Sequence, residues 1–149
     1  DEVIVHFNNL AGFFRKAHSL LHENGMMVNK ELHFTHPKYS EMSRAMLVVH
    51  EIYGLTGNYR TLSEELGMVN EANFEVRRVQ PIDLSNYLRT VKSWSTNMYD
   101  NREALIAAAG QDFYRHFRTY LKIVHQLFLG PAMTLDIVAS RKLSDTPVE

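Results

Sequence analysis

The stretch Asn86-Tyr87-Leu88-Arg89-Thr90-Val91, followed by Trp94, brings a phenol, a guanidinium and an indole together at helical spacing. Tyr87, on the first turns of a helical segment, can donate its hydroxyl to an anion; otherwise it is a half-buried tyrosine satisfied on backbone. Eight histidines raise the question of a metal, with His18 and His22 at i, i+4 and His33 and His36 close in sequence. No glutamate stands between His18 and His22 as a zinc-peptidase helix requires, and amphipathic spacing puts both on an exposed face, so no metal site is expected. No Ser-His-Asp set, nucleophile elbow or framed pair of carboxylates supports a hydrolase. The sequence has no cysteine, which removes disulfides, thiolate catalysis and Cys-ligated zinc. Gly54-Leu55-Thr56-Gly57 follows a helical segment instead of a buried strand and fails the context of a nucleotide loop.

These groups must be positioned by a chain of 149 residues, 45% hydrophobic and 22% charged, with a net charge of -1. That is enough apolar content for one domain, and the scattered Lys and Arg give no nucleic-acid footprint. No apolar run is long enough to span a bilayer, no signal peptide is visible, and a cytoplasmic protein is expected. The start at Asp1, without an initiator Met, reads as though an upstream part were absent.

Val3 to His6 predicts the end of a strand. Asn8 or Asn9 then caps a helix carrying Leu10, Phe13, Phe14, Ala17, Leu20 and Leu21, closed by Asn24-Gly25. Met26 to Phe34 predicts a strand that starts buried and ends at a polar rim, giving a β-α-β crossover with parallel pairing. Ser40 to Tyr53 reads as a helix, and Thr61-Leu62-Ser63-Glu64 as a capping box opening a short helix to about Asn73. Phe74 to Gln80 predicts a strand stopped by Pro81. Helical segments follow over Leu84 to Ala109, with a break near Asp100-Asn101, and over Gln111 to Leu129 between two glycines. Met133 to Lys142 alternates as a terminal strand, and residues 144–149 form a frayed tail. The order β-α-β-α-α-β-α-α-β describes one α/β unit over residues 1–143.

That order, the Phe13-to-Val28 helix–turn–strand, the Asn86-to-Trp94 stretch, Phe113-Tyr114-Arg115 through Phe128, and the closing Asp136-Ile137-Val138 together resemble the cyclopropane-fatty-acid-synthase and mycolic acid cyclopropane synthase group. These are class I S-adenosylmethionine-dependent methyltransferases, and the resemblance covers their C-terminal half. The most specific part is Asn86-Tyr87-Leu88-Arg89-Thr90-Val91 with Trp94, similar to the family's His-Tyr-Ala-Arg-Thr-Leu and nearby Trp. The resemblance implies a Rossmann-like fold in which the three strands are the fifth, seventh and sixth, with the last inserted antiparallel between the other two. It also implies S-adenosylmethionine as methyl donor, bound mainly by a glycine-rich loop and an acidic residue that are not in this sequence.

In the resembled family a bicarbonate beside the sulfonium methyl is held by a Glu-His pair, a fifth-strand His and the motif Tyr, and takes the proton lost in the reaction. Carried onto this chain, the catalytic candidates are Tyr87 and His6. Val5 stands where the Glu belongs and Lys30 where the fifth-strand His belongs, which departs from a bicarbonate site. Lys30 can hold an anion as a point charge or be a solvated strand end. Glu51-Ile52-Tyr53-Gly54 loosely resembles the family's lid loop, and places Tyr53 with Lys30, Trp94, Phe117, Tyr120 and Phe128 as acceptor-binding candidates. The long-helix aromatics line an acyl tunnel by this resemblance and an ordinary helix–helix core by periodicity alone.

The implied function is methyl or methylene transfer to an unsaturated lipid or other apolar acceptor, with this half forming the acceptor pocket. A membrane phospholipid as acceptor would place the protein peripherally at the membrane. The alternatives are a small-molecule N- or C-methyltransferase, and a non-catalytic domain acting by self-association or partner binding. A chain standing alone would expose the fifth strand, Met26 to Phe34, to pairing in a homodimer.

Overall fold

The computed structural model describes residues 2–39 and 58–144. A single turn of 3-10 helix, Ile4–His6, leads to α1 (Leu10–Leu20), β1 (Met26–Phe34) and a second such turn, Pro37–Tyr39. Then come α2 (Leu62–Glu71), β2 (Phe74–Ile82), α3 (Ser85–Asp100), α4 (Arg102–Ala109), α5 (Gln111–Leu129) and β3 (Met133–Lys142). The expected Ser40-to-Tyr53 helix, the Gly54-to-Gly57 loop and the tail beyond Ser144 lie outside the described residues. Ser144 itself is held, its carbonyl accepting from Asn73 Nδ2 at 3.2 Å. No described helix is long and apolar enough to cross a membrane.

The strands form one sheet in the order β1-β3-β2 with both pairings antiparallel. Leu135 of the central strand faces Leu32 on one side and Ile82 on the other. Pro81 does not stop β2 but sits within it, opposite Asp136. On an edge strand with a single ladder, a proline whose missing N–H points outward costs no sheet hydrogen bond.

Two further expectations are corrected. Val3 to His6 is a turn, not a strand: His6 N donates to Val3 O and Phe7 N to Ile4 O. Its β-branched Ile4 and Val5 are buried by packing instead of by pairing, so there is no β-α-β crossover. Among the described residues the parallel contact is one isolated bridge, Phe34 to Thr61. The polarity of β1 is also reversed, because Met26 and Val28 are exposed while Glu31 to Phe34 are buried. The polar residues of that buried end were read as a rim, yet each has a partner waiting for it.

Those partners come from across the chain. His33, 1% exposed, holds Asp136 of β3 at 3.1 Å through Nδ1 and Glu65 of α2 at 2.7 Å through Nε2. Asn29 Nδ2 donates to the second Glu65 oxygen at 2.6 Å. Burial is the largest influence on His33 and works against a charged ring. The hydrogen bonds and charges of Glu65, then of Asp136, outweigh it and raise the imidazole pKa above its ordinary 6.5. The sheet is thus tied to α2 at the same end where β1 is buried.

Local signals do the rest. Asn9 caps α1 by accepting from Gly12 N, and Leu10 and Phe14 pack with Ile4, Val69 and Phe74. The helix ends at Leu20, before Asn24-Gly25; Asn24 takes the left-handed conformation at φ 60° in the turn into β1. His18 is buried, not exposed as its spacing suggested, with its ring edge-on to Phe74. The Thr61-to-Glu64 capping box is complete, Glu64 N donating to Thr61 and Thr61 N to the Glu64 carboxylate. Gly110, at φ 88°, separates α4 from α5 in a conformation that side chains resist.

Thr61→Ala should lower unfolding stability by about 1 kcal/mol in a denaturant titration, with Thr61→Ser retaining most of it; an unchanged midpoint would mean the cap does not hold α2. The raised His33 pKa means stability that is fully present below the unfolded pKa and lost as pH rises through the folded one. The melting temperature should therefore fall as pH is raised above about 6.5. That slope should flatten in His33→Gln, and a wild-type melting temperature that climbs through this window would contradict the assignment.

Candidate functional site

On the face of β1 opposite His33, strand alternation turns Lys30, Leu32 and Phe34 toward α3 and α5. Between these elements lies a cavity of about 450 Å³ whose wall includes Leu32, Tyr59, Trp94, Tyr120, Val124 and Phe128. Glu2, His6, Asn86 and Tyr87 contribute its polar groups. A second cavity of about 630 Å³ runs along α3, α4 and α5 and shares Trp94 and Tyr120 with the first. The two cavities adjoin at Trp94 and Tyr120, and Asn97 and Asn101 are the polar residues lining the second.

The long helices supply both a buried seam and the cavity walls. Val91, Met98, Tyr114 and Leu121 form the buried seam between α3 and α5. Trp94, Phe117, Tyr120 and Phe128 turn to the cavities, with Phe117 lining the second. Phe113, Phe117 and Tyr120 stack in sequence with ring centroids 5.8 Å apart at each step. Tyr87 meets Phe128 edge to face at 5.2 Å. Tyr53 lies outside the described residues.

The polar end is organised around Glu2. The Tyr87 hydroxyl donates to Glu2 Oε1, and Lys30 Nζ pairs with the same oxygen at 3.0 Å. Glu2 N donates to Lys30 O at 2.8 Å, fixing the backbone to β1. Lys30 therefore reaches the cavity through Glu2 and is not part of its wall. His6 does line the wall, at the end of the Ile4–His6 turn. That turn is held by Glu31, whose Oε2 accepts from Ile4 N at 3.1 Å. Burial raises the Glu31 pKa, partly offset by backbone donors from Leu32, Val5 and Ile4.

Tyr59 and Tyr120 remain protonated at neutral pH. Burial, then Tyr120 and the Glu31 and Glu2 charges, push Tyr59 up to about 12, and burial raises Tyr120 as well. The site thus offers neutral donors, one carboxylate and one ammonium against an aromatic wall. Glu2 and Tyr59 were missed by sequence reasoning. Neither belongs to a spaced motif, and both are brought in by turns whose course depends on the sheet. Glu31, His33 and Glu65 were missed as a buried set, although two polar residues alternating in a strand that ends Leu32-His33-Phe34 did signal a face with partners.

Comparison with known proteins agrees with this architecture. The family described as Mycolic acid cyclopropane synthetase matches residues 2–137. The S-adenosylmethionine-dependent methyltransferase UmaA of Mycobacterium tuberculosis is 25% identical over 120 residues, covering 74% of this chain and 42% of UmaA. The cyclopropane synthase MmaA2 from Mycobacterium tuberculosis superposes with a TM-score of 0.83 at 18% identity, over 95% of this chain and 53% of that one. The mycolic acid cyclopropane synthase CmaA1, complexed with SAH and CTAB, gives 0.84 at 21% identity, again over 95% and 53%. At these identities the structures establish the fold, an α/β Rossmann-like methyltransferase fold. This chain spans about half the length of the relatives it matches. It belongs to the mycolic acid cyclopropane synthetase family of class I S-adenosylmethionine-dependent methyltransferases and corresponds to one portion of such a protein.

Proposed function

We propose that this chain forms the acceptor-binding portion of a methyltransferase that moves a methyl or methylene unit from S-adenosylmethionine to an unsaturated lipid or another apolar acceptor. The observation that carries this reading is the aromatic-lined cavity with Tyr87, Glu2 and His6 among its wall residues. An apolar chain can lie along Trp94, Tyr120, Val124 and Phe128 and continue past Phe117, while its reacting atoms meet the polar groups. Pockets of this size and lining bury a ligand mainly by apolar contact and orient it with a few polar atoms.

S-adenosylmethionine supplies an electrophilic methyl carbon when bound. The glycine-rich loop and acidic residue by which the resembled family holds it are not among these residues. The Met26-to-Val28 end of β1, which among the described residues pairs with β3 alone and where Met26 and Val28 are 49% and 64% exposed, is a suitable seat for the part of the fold that carries them. The residues of this chain bind and orient the acceptor, exclude water through the aromatic wall, and place a hydroxyl beside the reacting atoms. A cation that forms on an acceptor is stabilised by the faces of such aromatics and by a nearby carboxylate.

In the full-length protein, Tyr87→Phe should lower kcat by about 100-fold while leaving acceptor binding in place. Val124→Trp, which fills the cavity, should weaken binding of a long-chain acceptor without affecting S-adenosylmethionine. Calorimetry together with analysis of methylated lipid products tests both. Full-length protein that binds no S-adenosylmethionine would overturn the proposal.

A further inference from the structure

The bicarbonate implied by the resemblance does not fit the residues present. By the resemblance Val5 stands for one anion ligand and Lys30 for another, and two of the donors left for an anion, the Tyr87 hydroxyl and the Lys30 ammonium, converge on Glu2 Oε1, with His6 also on the wall. We propose that the Glu2 carboxylate occupies, from within the chain, the anion position between Tyr87 and Lys30, and serves as the proton acceptor of the reaction. This rests on the methyl-transfer reading above and adds the base to it.

Three features support the placement. A carboxylate reproduces the planar O–C–O part of bicarbonate, so a phenol and an ammonium can converge on one oxygen of either ion in the same way. Among the described residues Glu2 Oε2 receives no hydrogen bond, which leaves that oxygen to take a proton. The backbone at Glu2 is left-handed, φ 52°, and the other positive-φ residues besides glycine among the described residues, Asn24 and Asn73, are asparagines, which tolerate it better. The Glu2 N to Lys30 O bond holds that conformation and aims the side chain into the cavity wall.

The proton balance is simple. As the acceptor takes the methyl carbon, an electron pair of the acceptor forms the new bond and the methyl–sulfur bond breaks toward sulfur. The acceptor is left cationic. Its C–H or N–H proton then passes to Glu2 Oε2, and the bonding pair returns to the acceptor to close a ring, form a double bond or restore a neutral amine. Tyr87 and Lys30 hold the carboxylate in position and do not themselves take the proton.

The test uses the full-length protein and two independent readouts. In calorimetry the wild type should bind neither formate nor bicarbonate, Glu2→Ala should bind formate, and Glu2→Ala with Lys30→Met should lose it again. In buffer stripped of carbon dioxide, wild-type turnover should be unchanged. Glu2→Gln, whose amide still fills the position, should fall by about 100-fold without rescue, whereas Glu2→Ala should fall as far and recover in part with added formate. Acceptor binding by Glu2→Gln, followed by calorimetry, should stay at the wild-type level. A wild type that loses turnover on stripping and regains it with bicarbonate overturns the proposal. A natively folded Glu2→Ala that binds no formate overturns it as well. If no methyl transfer occurs in any buffer, the functional reading fails, and calorimetry still decides whether Glu2 fills an anion site.

Discussion

A protonatable ring buried between two carboxylates is the constraint around which the rest of this fold is arranged. His33 belongs to β1, Asp136 to β3 and Glu65 to α2, and all three are 3% exposed or less. Losing one member strands the others in a low-dielectric interior, a penalty of about 3–5 kcal/mol where such groups have been separated. Replacing a whole buried ionic set with apolar residues is often neutral, so net stabilisation is not the argument for it. A one-residue slip of β1 against β3 would turn His33 to the opposite face of the sheet and leave Asp136 without it.

That register has a consequence on the other face of β1. With Asn29, Glu31 and His33 committed to the polar side, Lys30, Leu32 and Phe34 point to the helices that line the cavity. Glu31 then reaches Ile4 N and folds the turn that carries His6 and positions Glu2. The chain of cause runs from a buried ionic cluster, through strand register, to a turn, and from the turn to the carboxylate beside Tyr87. The cavity itself lies against α3 and α5. Val91, Met98, Tyr114 and Leu121 form the buried centre of the helix pair, and Tyr120, Val124 and Phe128 pack against it while also lining the cavity with Trp94.

Much of this was legible in one dimension. The bounds of β1, α5 and β3 follow from alternation, from flanking glycines and from helical period, and α2 announces itself by Thr61 and Glu64. These signals are local: a cap, a turn or an amphipathic stripe is read from residues within a few positions of one another. The Asn86-to-Trp94 stretch was legible for another reason, since its residue types at fixed spacing resemble a family whose fold is known. Pro81 and Val3 to His6 were misread because propensity at those positions is overruled by context, an edge strand in one case and apolar packing in the other.

What the sequence determined by itself, then, was the described helices α1 to α5 and strands β1 to β3, the sheet order implied by resemblance, and the aromatic supply on the long helices. Tertiary structure alone decided which end of β1 is buried, which aromatics are core and which are wall, and that Glu2 stands between Lys30 and Tyr87. The reason is physical. Glu2 is 28 positions from Lys30 and 85 from Tyr87, separations at which no local periodicity carries information. A carboxylate, a phenol and an ammonium look like solvated surface groups until the sheet closes and brings them to one oxygen.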